Sequence, residues 1–213
     1  MTRMDLRLSG VLLVALSVCV GGCYDVFGDT RIFRQEGDDH REGTGGSGGG
    51  TTTTNPPDCI PSNISSPVAD DCGVFVSSSK GKDTNAGDAK TAAVATLKKA
   101  LEIATTSGKP IYACAETFTE ALALKDDVTF YGGLDCAKDW GHVGPAKKTT
   151  WTADADATPV HVLAGARIAM EDFAIVAADA TTAGGSSIAV LAEGGTQLAL
   201  SQCDVTAGNG AKG

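Results

Sequence analysis

Three groups of side chains have the types that site chemistry requires. Asp83, Asn85 and Asp88 fall in one short run from Lys82 to Asp88. A helix–loop–helix calcium site needs a glycine at its sixth loop position and a glutamate at its twelfth. Counted from Asp83, those positions hold Asp88 and Val94, so the run reads as a turn. Asp and Asn bond their own backbone there, and Gly87 permits a positive φ. Asp154, Asp156, Arg167, Glu171 and Asp172 form a second group. Acidic residues with a basic proton acceptor could serve eliminative cleavage of an acidic polysaccharide, but no second acidic set recurs at a regular offset. His40, His142 and His161 are scattered. His161 alternates with Val160 and Val162 and is expected to face outward. No serine or cysteine nucleophile has a base at a spacing that suggests a triad. The sequence therefore assigns no catalytic residue, no metal ligand and no cofactor-binding residue.

The seven cysteines carry more information. Cys23 closes Val20-Gly21-Gly22-Cys23, after a basic start (Arg3, Arg7) and the apolar stretch Val11 to Val20. An aliphatic residue, two small residues and a cysteine form the lipobox pattern of bacterial lipoprotein export signals. The apolar stretch is short of the about 20 residues that a membrane-spanning helix requires, and its plan is that of an export signal. Residues 1–22 are expected to be removed and Cys23 to carry lipid, anchoring the chain to a Gram-negative cell envelope. Tyr24, in place of the aspartate that retains lipoproteins at the inner membrane, points to the outer membrane. Cys19 follows Val18 and makes a poorer acceptor. An exported chain meets an oxidising compartment, where disulfides form. Cys114 and Cys136 end successive strand segments, and Cys59 and Cys72 flank the start of the apolar-patterned chain, so those two pairs are the expected bonds. Cys203 is left as a free core thiol. No pair has zinc-site spacing.

Charge and composition narrow the partners. The formal net charge is −9, and aromatic residues make up 5% of the chain. No basic patch exists to neutralise phosphates, so nucleic acid is not an expected partner. Residues 23–71 read as a flexible tether, with the glycine-rich run Gly43 to Gly50, the threonine run Thr51 to Thr54 and then Asn55-Pro56-Pro57. Such a segment buries too little apolar area to repay its ordering. As a flexible coil it would reach about 40 Å, taking about 5–6 Å times the root of its length.

Residues 72–213 carry the ordered patterning. Gly73 to Ser77 reads as a strand. Val94 to Ser107 reads as a helix, with Val94, Leu97, Leu101 and Ala104 on one face and Gly108 and Pro110 as its stop. Pro110 to Cys114, Leu122 to Leu124 and Val128 to Tyr131 read as strands, and Ala137 to Pro145 as a loop. An internal repeat follows. Ile168, Met170, Phe173 and Ile175 recur as Leu198, Leu200, Cys203 and Val205 at an offset of thirty residues. Apolar residues at alternate sites are what strands with one inward face require. Leu122, Val128 and Phe130 match Val162, Ile168 and Met170 at an offset of forty. Such a period predicts stacked short strands in a solenoid. Ile168, Met170, Ile175, Leu198, Leu200 and Val205 are the expected core. The last residues, Gly208 to Gly213, follow a repeat with no visible cap, which predicts a continuation.

Gly73 to Ser77, Lys82 to Gly87 and Thr96-Leu97-Lys98-Lys99-Ala100-Leu101, together with Tyr131 to Cys136, resemble the N-terminal cap of right-handed parallel β-helix proteins of the pectin-lyase-like fold. The likeness is to an envelope branch bearing a domain of unknown function. It covers about residues 72–210 and departs at Ala93-Val94, where proline and an aromatic are usual. The resemblance implies an all-β, right-handed parallel β-helix with an N-terminal capping α-helix. The function expected is that of a non-catalytic envelope lipoprotein with a structural, adhesive or surface-binding role. Its partners would be the membrane, through the N-terminal lipid, and a polysaccharide or another envelope component. Two alternatives stay open: a carbohydrate-binding module, and a degenerate polysaccharide lyase or hydrolase. The first would need exposed aromatics, with Trp140 and Trp151 as the candidates. The second would need a carboxylate pair lining one groove.

Overall fold

The computed structural model describes residues 57–213. Strand β1 (Val74–Val76) leads into helix α1 (Leu97–Ser107), which is followed by β2 (Ile111–Cys114), β3 (Thr117–Thr119), β4 (Leu122–Leu124) and β5 (Val128–Asp135). Then come β6 (Gly141–His142), β7 (Thr149–Thr152), β8 (Val160–Val162), β9 (Arg167–Glu171) and β10 (Phe173–Val176). The series ends with β11 (Val190–Ala192), β12 (Gln197–Ser201) and β13 (Asp204–Thr206).

The strands form three separate sheets. The largest runs β1-β2-β5-β9-β12, with the short β6 antiparallel against β5. The second runs β13-β10-β7-β3 and the third β11-β8-β4. Apart from β6, every pairing is parallel.

This corrects the expected fold class. No closed solenoid forms among the described residues, and the arrangement is α/β-like rather than an all-β parallel β-helix with an N-terminal cap. The helix lies within the strand series, between β1 and β2, which pair in parallel across it. Parallel neighbours need a crossover long enough to bring the chain back to the starting edge, and a helix supplies it. The sequence pattern placed α1 well but its role poorly. Val94, expected inside the helix, instead makes a parallel bridge to Val76. Thr96 therefore becomes the N-cap, and its side chain accepts a hydrogen bond from Lys99 N. At the other end Gly108 takes φ 68°, and its N–H bonds to Ala104 O. Glycine bears that conformation without a Cβ clash.

The thirty-residue offset is the observed register between β9 and β12, with Ile168 beside Leu198 and Met170 beside Leu200. Ile175 likewise lies beside Val205. Asp172 and Gln202, at the turns after β9 and β12, share positive φ values of 59° and 52°. The forty-residue match holds for Val128 and Phe130, beside Ile168 and Met170. Leu122, however, lies beside Val160, and it is Leu124 that lies beside Val162.

Ile168, Met170 and Ile175 are buried as expected. Their repeats are not. Leu198 is half-buried, while Leu200 and Val205 are 40% and 48% exposed. They sit on the outermost strands, with no further strand to cover them among the described residues.

The main core lies among the three sheets and α1. It contains Val74, Leu97, Ile111, Phe130, Trp151 and Phe173. A second cluster covers the other face of the largest sheet, around Phe75, Tyr112, Tyr131 and Trp140. Alternate residues of β1 and β2 thus point into two different apolar layers. That is why these strands read as continuous apolar runs and not as alternating ones.

Candidate functional site

The second cluster is where the N-terminal arm joins the sheet. Residues 57–71, which composition assigns to the tether, fold here into short 3-10 turns, Pro57–Cys59, Pro61–Asn63 and Asp70–Cys72. Cys59, Pro61 and Val68 are buried. Phe75, Tyr112 and Tyr131 come from three adjacent strands, so their rings stack, each neighbouring pair 5.3 Å apart at 22°. Trp140, from the loop after β5, meets Phe75 edge-on at 5.1 Å. Offset and edge-on contacts both suit the ring quadrupole.

Polar groups fix the arm on this apolar surface. Tyr112 Oη donates to the Cys59 carbonyl at 2.6 Å. Burial, with Tyr131 and Asp71 nearby, pushes the Tyr112 phenol far above its ordinary value, so it stays a donor. Lys90 Nζ donates to Val68 O at 3.0 Å, and Lys109 Nζ to Asp71 O at 3.0 Å. Both expected cysteine pairs lie at disulfide distance. The Cα atoms of Cys59 and Cys72 are 5.4 Å apart, and those of Cys114 and Cys136 are 5.6 Å apart. The first pair closes the arm onto Cys72, two residues before β1. The second ties the loop bearing Trp140 to β2.

Cys203 has no cysteine partner among the described residues and is half-buried, less enclosed than its match to Phe173 implied. Burial raises its thiol pKa, which keeps it protonated and slow to react. Cys23 lies outside the described residues, as do Cys19 and His40.

The other candidate groups are drawn into local structure. Asp83 Oδ1 accepts from Ala95 N and Thr96 N, and Asn85 Nδ2 donates to Ala93 O. That cluster is the turn read from the sequence. The Asp154-to-Asp172 group does not converge. Asp156 accepts from Thr181 and Thr182, whose hydrogen bonds hold its pKa at about 2. Arg167 forks onto Asp127 Oδ2 through Nε at 2.8 Å and Nη2 at 2.6 Å. Asp172 is buried, with Oδ2 2.7 Å from His142 Nε2 and Oδ1 without a hydrogen-bond partner. His161 faces outward and meets Glu193 Oε1 at 2.9 Å.

Two carboxylates outside the groups read from the sequence, Glu116 and Glu120, tie together the segments around β1 and α1. Glu116 accepts from the side chains of Ser77, Ser78 and Ser79 and from Ser79 N. Burial alone would raise its pKa, but the bonds from Ser79, Ser78 and Ser77 together outweigh that and lower it. Glu120 accepts from Leu97 N at 2.7 Å and from Lys98 N at 2.8 Å, serving the orphan donors at the start of α1. Asp172, read from the sequence only as part of the acidic group, holds β6 through His142. The partners lie 22 to 39 residues away in sequence, so no local motif could have revealed them.

No helix among the described residues is long and apolar enough to cross a membrane. No group of three metal-ligating side chains occurs among them. No family model matches the chain, and neither a curated protein nor a solved structure matches it.

Proposed function

We propose that the chain is a cell-envelope lipoprotein, held to the membrane by lipid on Cys23, with a structural, adhesive or surface-binding role. The observation that carries this reading is the pairing of Cys59 with Cys72 and of Cys114 with Cys136 at disulfide distance, in a chain that opens with an export signal and a lipobox. Disulfides persist in compartments reached by export. A pair closing the N-terminal arm onto the sheet also suits a domain tethered from that end. Force along the tether would meet a covalent loop and a buried hydrogen bond before it reached β1.

The charged groups around β1 and α1 favour a structural reading. Asp83, Glu116 and Glu120 spend their oxygens on backbone and hydroxyl donors of the fold. The carbohydrate-binding alternative loses its aromatic candidates, since Trp140 and Trp151 are 5% and 0% exposed. Sugars stack on exposed rings. The lyase alternative loses its basic residue, because Arg167 is engaged by Asp127.

Fractionation tests the reading. The native chain should sediment with envelope membranes and leave them only with detergent, and Cys23→Ala should be released. Equal membrane retention of the Cys23→Ala chain would overturn the anchor. Capture of an envelope polysaccharide by the native chain would name the partner.

A further inference from the structure

We draw no further inference here: the strongest candidate, the side-chain pair of buried Asp172, at the turn after β9, with His142 of β6, leaves Asp172 Oδ1 without a hydrogen-bond partner, but no group of three metal-ligating side chains forms around it among the described residues, and nothing in the structure shows what ligand it would take.

Discussion

The Tyr112 hydroxyl donates to the carbonyl of Cys59 across 53 residues of chain. This bond is buried and joins the N-terminal arm to the second strand of the largest sheet. Tyr112→Phe keeps the ring stack with Phe75 and Tyr131 but leaves the carbonyl without its donor. The expected cost is about 1–3 kcal/mol, read as a lower urea midpoint with an unchanged slope. No change in midpoint would show that the arm is held by the rings and cysteines alone.

Glu120 closes the start of α1 from the turn between β3 and β4. Glu120→Ala strips the acceptor from Leu97 N and Lys98 N and should cost about 0.5–2 kcal/mol, the usual worth of a cap. Glu120→Gln, which retains one acceptor oxygen, should recover part of that. Hydrogen exchange should show the loss first at Leu97 and Lys98. Uniform exchange across the domain would contradict a local cap.

Much of this architecture was legible in the sequence, and the reason is local. The thirty-residue repeat placed Ile168 beside Leu198, and Gly108 with Pro110 marked the stop of α1. The overall arrangement was not legible. Alternation says which residues of a strand share a face, but not how separate sheets meet. The end-cap role of the helix came from the family resemblance, and its single apolar face is equally compatible with a crossover. Its place between β1 and β2 follows from Val74 pairing with Ile111, a contact between distant segments. Glu116 and Glu120 went unseen for the same reason, as did the pairing of Asp172 with His142. Leu200 and Val205 were expected inside because their pattern copies Met170 and Ile175, and pattern carries no information about which strand is outermost.

Burial of Ile168 gives a direct stability test. Its side chain is fully enclosed between β5 and β12. Ile168→Asp would bury a charge with no partner and should cost several kcal/mol. Thr117→Asp, at an exposed strand position, should stay within about 0.5 kcal/mol of the native chain. Thermal melts of the two variants should differ plainly. Equal melting temperatures would contradict the inward placement of Ile168.

Acid should loosen the segment after β1 through Glu116. Its folded pKa lies below the ordinary 4.5. The stability it contributes is therefore fully present above its unfolded value and is lost as pH falls through the folded one. Asp156, held at about 2, acts in the same direction at lower pH. Glu116→Gln should flatten the decline just below pH 4.5, as followed by urea midpoints against pH. An unaltered decline would assign the acid sensitivity to other carboxylates.

The central claim is the lipid anchor, and the mass of the mature N-terminal peptide tests it most directly. The mature chain should begin at Cys23, with Tyr24 next, and its mass should exceed the peptide mass by a diacylglyceryl group on the sulfur. A mature chain that begins elsewhere, or at Cys23 with an unmodified thiol, would contradict it.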